Sequence, residues 1–364
     1  MASKMEFFDS ELDTLSPEEL ILLKNKIDSK LQEGNNDEPL TMDGERRFTV
    51  FPIDSNYIDV WNMYKTQLAS FWRAEEIDFS NLKNEFNKLN SDEQHFMKMV
   101  LAFFAGSDGI VNFNIATRFL QEITSMEVNI VYVFQMMMEN IHGETYSLML
   151  DSVISDPIEK NRLFNAIENF ESVRLMSNWA FRWIESSERL AYRIIAFCIV
   201  EGVFFSGAFA AIFWFKKYKS VKLEAFYKSN ELIARDEGLH VNFGIMLYQK
   251  IRNKLNQSEV REIMMDAVNI AEQFIGEALP VSLIGMNSGL MNQYIQYVAD
   301  RLTVELGYSK IFNVQNPFMF METIGLLVKA NFFEEREFSY QDAHIMNEGK
   351  TITYKDVSFE DADF

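Results

Sequence analysis

The sequence predicts an all-α protein in which four long helices each turn an acid toward a shared core. Three observations lead there. Of the 364 residues, 48% are hydrophobic and 14% aromatic, with 33 Phe and 20 Met against only 15 Gly and 6 Pro. That balance suits long helices packed by large, soft side chains, and it leaves few turn residues for an all-β fold. No run shows the period-two alternation of a strand, and no Asn-Gly or Asp-Gly turn joins two strand-like runs. Apolar residues, with a few acids among them, recur at steps of three and four, which is the spacing of one helix face.

From the N-terminus, residues 1–45 are polar and charged; "LSPEELILLKNKIDSKL" can form an amphipathic helix, and "QEGNNDEPL" after it reads as a flexible linker. Residues 46–333 form the globular part and residues 334–364 an acidic, mobile tail. The first long helix starts near Ser91, where "SDEQ" has the form of a capping box in which Ser91 caps and Gln94 reaches back. Its apolar stripe runs Phe104, Asp108, Val111, Ile115, so an acid lies on the buried face. The second helix repeats Val131, Gln135, Glu139, His142, Tyr146 and Leu150. The third is the nearly unbroken apolar run from Ile194 to Phe215, interrupted by Glu201. The fourth repeats Ile233, Glu237, His240, Gly244, Leu247 and Ile251.

The bulk properties narrow the function. A formal net charge of -20 disfavours nucleic acid and anionic membranes, both of which reward basic patches. Solubility is the ordinary role of such a charge. The single cysteine, Cys198, rules out an intramolecular disulfide and suits a reducing compartment; with no apolar leader at the N-terminus, the expected location is cytoplasmic. The Ile194–Phe215 run is long enough to span a bilayer. Glu201 inside it needs a buried partner, and the other helices offer one, so a buried core helix is the expectation, with no membrane.

The order of buried groups is acid, Glu-x-x-His, acid, Glu-x-x-His, with Asp108 and Glu139 separated by 31 residues and Glu201 and Glu237 by 36. One Glu-x-x-His is weak evidence, and an apolar helix can hold a satisfied histidine. Two such motifs among only four histidines, each after an acid-bearing helix, are much harder to obtain by accident. Four carboxylates buried together would repel one another and lose hydration; a pair of metal ions supplies the missing positive charge. Carboxylate and imidazole donors suit iron or manganese, whereas a structural zinc site would recruit cysteines. This is the residue pattern of a ferritin-like helical bundle with a dinuclear metal site between four core helices.

At that level the chain resembles the small, radical-generating subunit of class I ribonucleotide reductase, of the eukaryotic type. The likeness covers about Arg46 to Phe333 and the C-terminal end. It is carried in order by "FPIDSNYIDVWNMYK", "SFWRAEEIDFS", "LAFFAGSDGIVN", "MENIHGETYSL", "VEGVFFSGAFA", "NELIARDEGLH", "EALPVSLIGMN" and the closing "DADF". The resemblance implies Asp108, Glu139, His142, Glu201, Glu237 and His240 as ligands of two iron ions in an oxo-bridged centre, with manganese second. It implies Tyr146 as the residue oxidised to a stable radical, in a pocket of Phe205, Phe209 and Ile233. It further implies Trp72 and Asp236 as the relay from the metal site, through His142, to the surface. Tyr340 matches the tail residue that passes the radical on, with Tyr354 as its rival. Asp361, Ala362, Asp363 and Phe364 match the segment that docks on a large catalytic subunit. On residue type alone, Tyr146 and Trp72 read as core packing and Asp236 as a solvated or salt-bridged acid. Two departures stand out: Phe113 occupies a position usually Glu, and the stretch before the terminal "DADF" differs.

The expected function is that of a ribonucleoside-diphosphate reductase small subunit, in which di-iron chemistry with molecular oxygen generates a tyrosyl radical for the large subunit. The resemblance also implies a homodimer. No phosphate-cradling loop is visible, so nucleotide binding is expected on the partner. The rival expectations are a ferritin-like iron-binding protein and a di-iron oxygenase, the latter needing a channel to the metals.

Overall fold

The computed structural model describes residues 16, 19–20, 23, 40–41, 47–219, 222–277 and 286–321, and among them no strand occurs. Eight helices carry the architecture. They are α1 (Ile58–Ala69), α2 (Ser91–Glu122), α3 (Met126–Val153), α4 (Glu171–Ile184), α5 (Leu190–Tyr218), α6 (Glu224–Lys250), α7 (Gln257–Glu277) and α8 (Ser288–Glu305). Shorter turns of helix, such as Pro157–Phe164, link them. The all-α, ferritin-like class read from the sequence is what the chain adopts.

Helices α2 and α3 lie along each other as one pair and α5 and α6 as a second, and α3 meets α6 across the middle. Apolar residues of both pairs form one continuous core. α1 closes over α3 and α6, while α7 and α8 pack on α5. The fit of α7 follows from its pattern: Val260, Ile263, Met264, Ala267, Val268, Ala271, Phe274 and Ile275 are buried at steps of three and four.

Among the described residues, two helices are long and apolar enough to cross a membrane, not the one singled out above: α2 qualifies as well as α5. Their most apolar windows are 61% and 83% buried inside the fold, which is how core helices of a large bundle satisfy the same length test.

The start of α2 also differs from expectation by one residue. Asn90 is the cap, accepting from the Asp92 and Glu93 amides at 3.0 Å each, and Glu93 reaches back to the Asn90 amide at 3.1 Å. Gln94 instead donates to the Phe86 and Leu89 carbonyls. Asn caps as well as Ser, and Glu93 is correctly placed to complete the box, so the pair one residue earlier wins.

Two of the core helices are not regular throughout. α2 passes through a π-helical turn at Ile115–Phe119 and α5 through another at Val200–Phe204. A π turn widens the helix by one residue and commonly sits at functional positions; the second contains Glu201.

α5 and α6 approach closely at one glycine. A Cβ at Gly244 would come within 2.5 Å of the fully buried Cys198 sulfur. Gly244→Ala is therefore expected to destabilise the fold. Overpacking costs about 1–3 kcal/mol, set against a helix-propensity gain of about 1 kcal/mol. Adding Cys198→Ala should restore stability. Urea unfolding of the three variants checks this, and a Gly244→Ala protein as stable as wild type would show that the contact is loose.

Candidate metal centre

Each of the four core helices turns one acid inward. Asp108 comes from α2, Glu139 from α3, Glu201 from the π turn of α5 and Glu237 from α6, and none is more than 3% exposed. His142 and His240 lie one turn beyond Glu139 and Glu237 and are equally buried. The helical i, i+3 spacing puts each histidine beside its own glutamate.

The donors gather into two groups that meet at Glu139. One oxygen or nitrogen from each of Asp108, Glu139 and His142 lies within 4.8 Å of the others, and the same holds for Glu139, Glu201, Glu237 and His240. Glu237 also spans the two, with Oε1 3.1 Å from His142 Nδ1 and Oε2 3.5 Å from His240 Nδ1. All six ligand candidates thus come together.

The hydrogen bonding is incomplete in a way that suits cations. Both oxygens of Asp108 and of Glu237, Glu201 Oε2, Glu139 Oε1 and His240 Nδ1 are buried without a hydrogen-bond partner. Glu139 Oε1 lies 2.9 Å from His240 Nδ1, but the approach lacks hydrogen-bond geometry. Orphaned atoms of this kind are costly unless something else meets them. An all-oxygen-and-imidazole donor set in two overlapping groups fits a pair of hard or borderline metal ions.

Without cations the cluster must keep extra protons. Burial, then the neighbouring Glu139, raises the Asp108 carboxyl well above its usual range; burial and then Glu237 do the same to Glu201. Glu237 is the exception. Burial acts against it too, but contacts with Glu201, His142 and His240 hold it low. Burial disfavours a charged His142, yet Asp236, Glu139 and Glu237 more than offset this and raise it. His240 is raised likewise, chiefly by Glu139 against burial.

Around the cluster the other predicted residues fall into two sets. On one side, His142 Nε2 lies 3.2 Å from Asp236 Oδ2, and the Trp72 indole N–H donates to the same oxygen at 2.7 Å. The Trp72 and His142 rings stack at 6.0 Å. Arg235 holds the other Asp236 oxygen at 3.0 Å and also donates to the Ser70 carbonyl at 2.5 Å. Asp236 is thus salt-bridged to Arg235 rather than solvated, and its other oxygen fixes the Nε2 side of His142 so that Nδ1 faces the acids.

On the other side, Tyr146 is fully buried and its hydroxyl donates to Asn230 Oδ1 at 3.2 Å. Burial, then Asp108, pushes that phenol well above its usual range. Its ring stacks on Phe104 at 4.9 Å, and Phe205 and Phe209 pack on Phe104 in turn at 5.4 Å and 4.8 Å. Ile233 is buried three residues after Asn230. Sequence reasoning missed the parts played by Phe104, Asn230 and Arg235. Each carried a signal: Phe104 is one turn before Asp108, Asn230 two turns before Glu237, and Arg235 adjoins Asp236.

A cavity of about 380 Å³ reaches the cluster between α5, α6 and α8. Glu201 and Glu237 line it together with Phe209, Phe213, Val298, Arg301 and Glu305. The departure at Phe113 is remote in character: its side chain is 47% exposed and packs edge-on against Phe181. Tyr340, Tyr354 and the Asp361, Ala362, Asp363, Phe364 end lie outside the described residues.

Comparison with known proteins points in one direction. Residues 47–317 match the family model described as ribonucleotide reductase, small chain. The chain is 51% identical over 315 residues to the human ribonucleoside-diphosphate reductase subunit M2, covering 86% of this chain and 80% of that protein. It is 50% identical over 322 residues to the ribonucleoside-diphosphate reductase small chain of vaccinia virus strain Western Reserve, covering 88% of this chain and 100% of the other. Among solved structures, the ribonucleotide reductase Rnr4 homodimer from Saccharomyces cerevisiae superposes with a TM-score of 0.73 at 34% identity, covering 90% of this chain and 100% of that one.

The electrostatics give a pH dependence with a definite sign. Asp108, Glu201 and both histidines have raised values in the metal-free fold, so each contributes stability at low pH that is lost as pH rises through its folded value. Glu237, held low, works the other way but is already ionised there. Metal-free protein is therefore expected to lose stability as pH rises beyond the ordinary carboxylate range of about 4 to 5. Asp108→Asn should flatten that decline, leave the metal-free protein at least as stable at pH 8, and weaken metal uptake. Denaturant unfolding with chelator across pH measures it; a flat wild-type profile would contradict the electrostatic picture.

Proposed function

The chain belongs to the ribonucleotide reductase small-chain family and is a ribonucleoside-diphosphate reductase small subunit. On that premise we propose that it stores one oxidising equivalent on Tyr146 and delivers it to a large catalytic subunit that reduces ribonucleotides. One observation carries this reading. Tyr146, the six-ligand cluster and the Asp236–Trp72 pair form a single buried series with no solvent-exposed member.

Asp108, Glu139, His142, Glu201, Glu237 and His240 would hold two iron ions. When bound, the ions supply the reduction of molecular oxygen that draws one electron from Tyr146. The chain's own residues do the rest. The Tyr146 hydroxyl gives up its proton with the electron, the proton being taken up with the reduced oxygen as water, leaving a neutral radical. Asn230 fixes the direction of that hydroxyl, and Phe104, Phe205 and Phe209 keep water from it. Asp236 joins His142 to Trp72 through one shared oxygen, which gives an electron a short hydrogen-bonded path between Trp72 and His142. The tail, with Tyr340 as the last relay residue and Phe364 as the anchor, completes the route to the partner. The cavity lined by Glu201 and Glu237 would provide a path for oxygen.

The same cavity favours a second reading, an oxygenase acting on a small apolar molecule. The buried tyrosine and the Trp72 chain have no use in that chemistry. A ferritin-like storage role leaves them idle as well.

Ferrous iron and oxygen added to the metal-stripped chain should produce a sharp tyrosyl signal by electron paramagnetic resonance, lost in Tyr146→Phe. Trp72→Phe should keep the signal but lower nucleotide reduction with the large subunit by at least about a hundredfold, as for removal of an obligate catalytic group. A two-iron centre with no organic radical would overturn the proposal.

A further inference from the structure

We propose that Gln135 is a positioning residue for one half of the metal pair: it grips one oxygen of Glu201 so that the other is offered to the ion held with Glu237 and His240. The inference rests on the two-metal reading and adds a residue to it.

Gln135 is fully buried on α3, one turn before Glu139 on the same face. Its amide N–H donates to Glu201 Oε1 at 3.1 Å. Facing an ionised Glu201, as with cations bound, the amide must present its NH₂ end, since the carbonyl would meet oxygen lone pairs. Glu201 Oε2 is left without a hydrogen-bond partner and points toward His240 Nδ1, 3.8 Å away. The grip on Oε1 therefore decides which oxygen is free.

Glu201 is the acid that most needs such a grip. Asp108, Glu139 and Glu237 project from α-helical turns, whereas Glu201 sits within the Val200–Phe204 π turn. The regular i to i−4 ladder is interrupted there, as it commonly is at functional positions.

Stability does not explain Gln135. Its carbonyl oxygen is buried without a partner, which is a cost to the fold. A residue kept for packing alone would be replaced to advantage by an apolar side chain of the same length. The effect should also be one-sided: the Asp108, Glu139 and His142 group is oriented through Asp236 on His142 and has no hydrogen bond to Gln135.

The test uses the full chain, stripped with chelator and titrated with manganese(II), the free aquo ion being followed by electron paramagnetic resonance. Wild type should take up two ions per chain. Gln135→Met should keep the first affinity and weaken the second by roughly ten- to a hundredfold, the usual range for losing a residue that orients a ligand. The thermal midpoint of its metal-free form should not fall. Two ions bound as tightly as in wild type overturn the inference. Parallel weakening of both ions with a lower metal-free midpoint also overturns it, because that marks a structural role. Wild-type protein that binds fewer than two ions overturns the two-metal reading itself.

Discussion

Four carboxylates enclosed by an apolar bundle are the constraint on which the rest of this structure depends. Asp108, Glu139, Glu201 and Glu237 are withdrawn from water, and only two imidazoles accompany them. An isolated buried carboxylate is untenable in a low-dielectric interior, so the group either holds protons or meets cations. The helices accept this burden because the core around it is extensive. Without that apolar mass, repulsion at the centre would prise the two helix pairs apart.

The same constraint organises what lies outside the ligands. Asp236 is a fifth acid close by, and it is tolerated because Arg235, Trp72 and His142 all meet it. That arrangement orients His142 and ties the α1–Trp72 segment to α6 through the Ser70 carbonyl. Tyr146 needs the opposite environment: a single amide contact and aromatic walls. The molecule thus keeps a polar, hydrogen-bonded side and a dry side around one cluster. Under the proposed function those two sides have a purpose, the dry one to store a radical and the polar one to move it.

Much of this could be read from the chain itself. Asp108, Glu139, Glu201 and Glu237 stand in apolar stripes at helical spacing, and periodicity registers an acid on a buried face as an anomaly. The two Glu-x-x-His steps are local and survive any error in helix boundaries. What escaped is instructive. The cap of α2 moved from Ser91 to Asn90 because two adjacent residues can both cap, and only the partner, Glu93 or Gln94, decides. The π turn at Glu201 leaves no mark on a residue count. Gln135, Asn230 and Arg235 were visible as letters but not as contacts, since an amide or guanidinium shows its role only once the acceptor is in place. α2 as a second membrane-length helix was overlooked because Asp108 and a charged first turn dilute its apolar run. The roles of Tyr340 and of the terminal Asp361–Phe364 segment fall outside the described residues and rest on resemblance.

The central claim is that the buried acids exist to hold two ions that share Glu139. Anomalous X-ray diffraction from crystals grown with the metal tests it most directly. Two peaks are predicted inside the bundle, one among Asp108, Glu139 and His142, the other among Glu139, Glu201, Glu237 and His240. A single peak, or peaks only at surface acids, would contradict it.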